Sequence, residues 1–291
     1  MTLKNSLRLA AAGVIVIVAI AFVVGARAPK VAVLKVEGVI LSAETYTRAA
    51  REIERDDSIK ALVVRIDSPG GSVAASQEIH ALVRRLGEKM PTVASMGNIA
   101  TSGGYYVACG APVIVANPGT VTGSIGVIAT FANYGDLLRW AKMDFEVIKT
   151  GEFKDSGSPL RPLSEEERKY LQGIMDGALE QFQKAVADSR GMSAGQVEKV
   201  SDGKIILGLA AQEAGLVDEM GTLQSAIEMA AEKAGIPADS PVENFPEQPL
   251  GLSSFISQLS GAADVGAVAE RILRPSGLYY LSARLAAGKV F

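Results

Sequence analysis

The sequence is short of the residues on which many active sites depend. Its 291 residues include one histidine, His80, and one cysteine, Cys109. A single cysteine excludes an intrachain disulfide and a cysteine metal cluster, and it leaves the redox compartment open. The formal net charge of -3 provides no excess of basic residues for binding nucleic acid. The chain therefore gives no sign of a nucleic-acid partner, and any histidine-dependent chemistry within it has to use His80.

The composition, with 48% hydrophobic and 21% charged residues, is that of a globular protein. Apolar strand-like runs alternate with helix-like segments from residue 31 onward. Strands separated by single helices predict right-handed βαβ crossovers and a mainly parallel α/β sheet. Strands are predicted at 31–40, 61–67, 91–96, 112–119, 124–129 and 145–151, and helices at 42–56, 73–89, from 102, and 164–190.

The N-terminus carries an uncharged apolar run at residues 9–26, which is 18 residues long and can cross a bilayer as a helix. The alternative is a cleavable signal peptide, but Arg27 fits poorly into a small-residue cleavage site. We therefore predict a membrane anchor. The charges on its two sides nearly balance, and the free amino terminus favours a cytoplasmic N-terminus with the body outside.

Ser102 lies in ATSGGYYVACGA, where a serine precedes two glycines and an apolar run. At the start of a helix its hydroxyl would lie near the positive end of the helix dipole, beside the amide of Gly103. Gly70 and Gly71 follow a buried strand and could supply a second backbone N–H. Two such donors would form an oxyanion hole. The alternative is that Ser102 is only a helix cap.

A serine nucleophile needs a base to remove its proton, and the sequence offers a histidine or a lysine for Ser102. His80 lies on the polar side of the predicted helix 73–89, which predicts a solvated surface position. The order Asp67, His80, Ser102 matches one known catalytic triad, but triads are recognised by geometry and not by order. Lysine is the other candidate, and it acts as a base near neutral pH only when its pKa is lowered. Lys154 follows a predicted strand, although spacing alone does not single it out from the other lysines.

Four motifs resemble the signal peptide peptidase A family, whose members are membrane-anchored serine proteases of the ClpP/crotonase fold. The likeness covers about residues 31–235 and is to the family's short, single-copy form. The motifs occur in the family's order, and they are DSPGGSV at 67–73, MGNIATSGGYYVA at 96–108, TVTGSIGVI at 120–128 and TGEFKDSGSP at 150–159.

The family uses a Ser-Lys dyad, so the resemblance implies that Ser102 is the nucleophile and Lys154 the general base. Ser124 matches the serine that orients the lysine. The resemblance also implies a fold of repeated ββα and βαβ units, no metal and no cofactor. The positions that match the oxyanion-hole donors are Gly70, Gly71 and Gly103.

The resemblance further implies a single-pass protein of the cell membrane with its catalytic domain on the extracytoplasmic side. Expected partners are apolar peptides such as signal peptides, membrane lipid and further copies of the chain. In the family's long form the two tandem halves supply the lysine and the serine, so we expect a ring of subunits with shared sites. The alternatives are a stomatin-associated membrane protease of the ClpP class and a crotonase-type acyl-CoA enzyme or binding module.

The expected organisation is an anchor at 1–30, a ClpP/crotonase-like protease domain at 31–236 and a C-terminal tail at 237–291. The tail begins at a proline-rich break and ends in GLYYLSARLAAGKVF. Large apolar and small residues alternate there, as in the extended peptides that such a protease would hold. We expect the tail to dock in or near a substrate groove, and an amphipathic helix on the body or the membrane is the alternative.

Overall fold

The computed structural model describes residues 28–246 and 279–281. Its strands are β1 (Lys30–Glu37), β2 (Ile59–Ser68), β3 (Gly70–Ser72), β4 (Thr92–Thr101), β5 (Val113–Ala116), β6 (Val121–Gly123), β7 (Ile205–Leu207), β8 (Glu219–Met220), β9 (Val242–Phe245) and β10 (Tyr279–Leu281). Its helices are α1 (Glu44–Arg55), α2 (Val73–Gly87), α3 (Gly103–Ala108), α4 (Gly135–Trp140), α5 (Glu165–Arg190), α6 (Ala194–Val200), α7 (Gly208–Glu213) and α8 (Leu223–Lys233).

An eight-stranded sheet forms the centre of the molecule, with β7, β6, β4, β2, β1 and β9 in that order across it. Apart from the antiparallel β6–β7 pair, its described pairings are parallel. One edge of β4 is shared, because β5 pairs with residues 93–96 and β6 with residues 99–101. The prediction of a mainly parallel α/β sheet is confirmed.

Helices cover both faces of the sheet, and alternate residues of each strand point to opposite layers. Val31 and Val63 face α8, where they pack with Ala230. Leu34 and Val64 belong to the larger layer, which includes buried side chains of α1, α2, α3 and α5. Because both faces are buried, β1 and β2 are nearly continuous apolar runs, as parallel strands in such folds are.

Three strands end side by side at one edge of the sheet. Ser68, the last residue of β2, pairs with Ala100 of β4, and Thr101 at the end of β4 pairs with Gly123 at the end of β6. Ligand sites in open α/β sheets collect at the carboxyl ends of the strands. The loops that follow these strands carry the SPGG, TSGG and TGSIG sequences, so the fold brings them to one place.

Two of the predicted strands are wrong. The strand near 124–129 lies earlier, as β6, and the chain turns directly after it because Ser124 has a φ of 52°. The segment 145–151 forms no strand, and Phe145 and Ile148 are exposed. This apolar segment pairs with no strand among residues 28–246.

The predicted anchor at 9–26 lies outside the described residues. Of the helices that the structure describes, none combines the length and the apolar character needed to cross a bilayer.

Candidate active site

Ser102 joins β4 to α3 in a backbone conformation that residues other than glycine seldom adopt, with φ 54° and ψ −120°. Hydrogen bonds fix this conformation on both sides. The Ser102 N–H donates to the Gly123 carbonyl at 2.8 Å, and the Ser102 carbonyl accepts from the Tyr106 N–H at 2.9 Å. Strained positions of this kind are retained where the surrounding structure holds them, and they cluster at active sites.

The Ser102 side chain is fully buried, and its Oγ has no hydrogen-bond partner among the described residues. It makes no capping hydrogen bond to α3, so it is not the helix cap that the sequence left as an alternative. A buried hydroxyl without a partner costs about 1–3 kcal/mol. The described chain therefore leaves the Ser102 hydroxyl without a partner.

Gly103 brings the start of α3 against β3. A Cβ at this position would lie 2.4 Å from Ser76 Oγ and 3.2 Å from both Gly71 N and Gly70 Cα. Only glycine allows so close an approach. The two predicted sources of oxyanion donors, the SPGG loop and the amide after Ser102, are thus in direct contact.

The two glycines of β3 differ in what their amides do. The Gly70 N–H donates to Ser68 Oγ at 3.1 Å, so it is already engaged. On the side facing Ile40, the Gly70 carbonyl accepts from the Ile40 N–H at 2.9 Å, and the Ser72 N–H donates to the Ile40 carbonyl at 2.7 Å. The Gly70 carbonyl and the Gly71 N–H belong to one trans peptide group and point in opposite directions, so the Gly71 N–H faces away from Ile40. Of the pair, Gly71 is the one whose N–H is bonded neither to Ser68 nor to Ile40, and it points to the edge where β10 lies.

Ser124 begins the segment after β6, and its φ of 52° is again unusual for a residue with a side chain. Its N–H donates to the Lys204 carbonyl at 2.7 Å, and the residue is 7% exposed. Since Gly123 pairs with Thr101, Ser124 and Ser102 follow neighbouring strand ends. The structure therefore places Ser124 in the same loop cluster as Ser102.

Lys154 lies in an exposed turn that precedes α5. This turn is anchored by Phe153, whose ring packs on Tyr170 with centroids 5.0 Å apart. No hydrogen bond or ion pair of the Lys154 side chain is found among the described residues, and Ser102 Oγ has no partner there either. Ser102, Ser124, Gly71 and Gly103 are brought together within the chain, and Lys154 does not join them by a hydrogen bond.

Large apolar side chains are exposed around the segment that carries Lys154. Trp140 is 82% and Ile148 92% exposed. Large exposed apolar patches mark interaction sites. Others in the same region are Phe131, Tyr134, Leu137, Met143, Phe145, Val147, Phe153 and Tyr170.

His80 is not the solvated residue that its helix position predicts. It is half-buried, its Nδ1 lies 3.0 Å from the Tyr106 carbonyl oxygen, and its ring meets the Tyr106 ring edge-on. Burial lowers the pKa of His80. Asp67 instead accepts hydrogen bonds from Asn98 Nδ2 at 2.9 Å and from the Ile99 N–H at 3.2 Å. A histidine triad is therefore not formed among the described residues.

The C-terminal strand β10 lies on β3. The two strands are antiparallel, with Tyr280 opposite Gly71 and Leu281 opposite Gly70. Residues 279–281 therefore add a strand at the edge from which the Gly71 N–H points. Most of the tail for which a docked arrangement was predicted lies outside the described residues.

Two serines that hold this site were not identified from the sequence. Ser68 Oγ accepts the Gly70 N–H and donates to the Gly38 carbonyl at 2.6 Å. Ser76 donates to the Ser72 carbonyl at 2.9 Å and lies against Gly103. Both flank the glycines in the DSPGGSV region, and that proximity in sequence was the available signal.

The model of peptidase family S49 matches residues 84–237, which is more than half of the chain. The chain belongs to peptidase family S49. Among curated relatives it is 42% identical over 241 residues to a candidate protease of Synechocystis sp., covering 81% of this chain and 87% of that protein. It is 33% identical to a candidate signal peptide peptidase A of Enterococcus faecium, covering 79% and 71%.

A longer member of the family is the chloroplast serine protease SPPA of Arabidopsis thaliana, to which the chain is 35% identical over 72% of its own length and 31% of that protein. These relatives make the chain a serine peptidase of the signal peptide peptidase A family. The expectation of a peptidase is confirmed, and the acyl-CoA alternative loses its support.

Among solved structures, a mutant of the 1510-N membrane-bound stomatin-specific protease superposes with a TM-score of 0.50 at 17% identity. The match covers 76% of this chain and 99% of that one. At this identity the likeness concerns the fold alone, which is a mixed α/β fold.

Proposed function

We propose that this S49 peptidase is a membrane-anchored serine endopeptidase that degrades remnant signal peptides and other apolar peptides in or near the membrane. The observation that carries the proposal is the buried Ser102 Oγ, which has no partner and lies at the start of α3. The adjoining Gly103 contacts Gly71, and an oxyanion hole needs two such neighbouring amides.

In this mechanism Ser102 attacks and Lys154 moves the proton. The neutral amine of Lys154 takes the proton of Ser102 Oγ as the oxygen bonds to the peptide carbonyl carbon. The N–H groups of Gly71 and Gly103 stabilise the oxyanion that forms. The Lys154 ammonium then protonates the leaving amine, and water releases the acyl group by the same sequence in reverse. Ser124 orients the lysine.

The general base would come from a neighbouring subunit. Within one chain Ser102 Oγ has no partner, and Lys154 is exposed in a region rich in exposed apolar side chains. A head-to-tail interface repeated around a ring would cover these apolar side chains and bring each Lys154 to the next subunit's Ser102. The dyad would then exist only in the assembled homo-oligomer.

Two further features support the choice of substrate and location. The apolar run at 9–26 is long enough to anchor the chain in the cell membrane. We place the catalytic domain on the extracytoplasmic side, as the family resemblance implies. β10 lies antiparallel along β3, beside the proposed oxyanion donors. An extended peptide could add to the same strand edge, where main-chain hydrogen bonds would give affinity without requiring polar side chains.

The test is to measure peptide hydrolysis and fluorophosphonate labelling with the full-length chain in detergent. Ser102→Ala should abolish both, and Lys154→Ala should abolish hydrolysis. Lys169→Ala is the matched control, because Lys169 is an exposed lysine on the nearby helix α5. Normal hydrolysis by a folded Ser102→Ala or Lys154→Ala variant would contradict the proposal.

A further inference from the structure

A network of ion pairs holds the segment that carries Lys154. Asp155, the residue after Lys154, is paired with Lys149 and also with Arg161, whose Nη2 lies 3.0 Å from Asp155 Oδ2. The Arg161 guanidinium continues to Glu167 with two hydrogen bonds, of 2.7 Å from Nη1 and 2.6 Å from Nη2. Paired bonds of this kind fix the geometry as well as adding energy.

Glu167 ties this network to the long helix α5. Its carboxylate accepts the N–H of Ser164 at 2.9 Å, which completes a capping box, and the hydroxyl of Ser156 at 3.3 Å. The Glu167 side chain is only 5% exposed. Bonding to Arg161 above all lowers the pKa of Glu167 to about 2. The Glu167 carboxylate is therefore charged throughout the neutral and alkaline range.

Asp155 presents an electrostatic problem for the residue beside it. A carboxylate close to an ammonium stabilises the charged form of the lysine. A lysine that acts as a base has to give up its proton, so a free carboxylate next to Lys154 would oppose catalysis. In the structure Asp155 is engaged with two other cations, and its hydrogen bond to Lys149 is the leading cause of its lowered pKa.

We propose that Lys149 and Arg161 are positioning residues for Lys154, because they fix its loop and hold the Asp155 carboxylate away from the lysine amine. This inference rests on the proposed role of Lys154 as general base. Neither residue needs to touch substrate. Their effect on the reaction passes through Asp155 and then Lys154.

Other residues with titratable side chains belong to the segments beside this network. The Glu152 carbonyl accepts from Lys149 at 2.8 Å, and the Tyr170 ring packs on Phe153. In the neighbouring helix α4, Asp136 is paired with Arg139. Of these groups, Lys149 and Arg161 bond to Asp155. The other titratable residues of the same segment and of the adjoining helices are Glu152, Lys154, Asp136, Arg139, Glu165, Glu166, Glu167, Lys169 and Tyr170.

The experiment compares the dependence of kcat/KM on pH among full-length variants. In wild type, kcat/KM should fall as the pH is lowered, and this part of the profile is its acid limb. Arg161→Met or Lys149→Met should move the acid limb to higher pH, because a freed Asp155 carboxylate would stabilise the Lys154 ammonium. A shift of one pH unit corresponds to about a tenfold loss of kcat/KM on that limb. Adding Asp155→Asn to either variant should return the limb to the wild-type position or below it.

Arg139→Met is the matched control, since it breaks an exposed ion pair on a neighbouring element that does not involve Asp155. It should leave the limb unmoved. Arg161→Lys keeps a cation near Asp155 but loses the paired hydrogen bonds to Glu167. The acid limb of its pH profile should therefore remain close to that of wild type. If Arg161→Met fails to fold, the Lys149→Met pair with and without Asp155→Asn gives the same comparison.

An unmoved acid limb in Lys149→Met and in Arg161→Met, or a shifted limb that Asp155→Asn does not restore, would overturn the inference. In either case the proposed function stands if Ser102→Ala and Lys154→Ala are inactive in the same assay. If those two variants are active, the proposed function itself fails.

Discussion

Gly71→Ala should separate catalysis from folding at the proposed oxyanion hole. A Cβ on Gly71 would lie 2.0 Å from the carbonyl oxygen of Ile40 and 2.6 Å from its carbon. These are backbone atoms of the bridge between β3 and the chain after β1, so no flexible side chain can move out of the way. The main chain of β3 has to shift, and the Gly71 N–H shifts with it.

The expected loss has two parts. Loss of one oxyanion donor lowers kcat by about two to three orders of magnitude. Overpacking costs about 1–3 kcal/mol of stability. Hydrolysis of a fluorogenic apolar peptide measures the first and thermal unfolding the second. Gly119→Ala is the control, because its Cβ would meet nothing within 4 Å. A folded Gly71→Ala with kcat within threefold of wild type would refute the assignment of Gly71.

The remaining predictions concern pH, the tail and His80. Activity should rise into the alkaline range, because a general base acts only in its neutral form. A flat profile of activity from pH 5 to 9, with chemistry rate-limiting, would contradict the lysine base. Truncation after Pro246 removes β10 but keeps β9. If residues 279–281 compete with peptide substrate for the edge of β3, the KM for added peptide should fall, and unchanged kinetics would exclude this competition. His80→Ala should retain most of its activity, since His80 contacts the Tyr106 carbonyl and not Ser102. Burial lowers the pKa of His80, so wild-type stability should decline below about pH 6.5, and this decline should be smaller in the variant.

Most of the sheet was predictable because both of its faces are buried. Continuous apolar runs such as β2 show that a strand is covered on both sides, and SPGG and TSGG mark where strands end. The same reasoning failed for 145–151, where an apolar run is present but no partner strand lies within the described residues. The distribution of apolar residues shows which side chains are more stable when buried. It does not show whether the surface that covers them belongs to the same chain.

The site was predictable in part. The motifs placed Ser102, Gly103 and Ser124 on loops that the parallel sheet brings together. They could not distinguish Gly70 from Gly71, because that difference depends on which side of β3 bonds to Ile40. The position of His80 was misjudged because helical periodicity does not reveal that α3 packs over the polar face of α2.

The network behind Lys154 was missed, although one signal was available. Ser164 and Glu167 have the spacing of a capping box, which marks the start of α5. That pattern accounts for the Glu167 bond to the Ser164 N–H. It gives no indication that Arg161 would bind the same carboxylate, since the return of the loop onto the helix is a tertiary feature.

A mixed oligomer of Ser102→Ala and Lys154→Ala chains tests most directly whether each site is completed by a neighbouring subunit. The two inactive variants are co-expressed, the oligomer is purified, and mass spectrometry verifies that both chains are present. In a random equimolar ring an intact serine meets an intact lysine at about one site in four, so about a quarter of wild-type peptidase activity should return. Activity no higher than that of either variant alone, in a verified mixed oligomer, would show that Ser102 and Lys154 do not form a site between subunits.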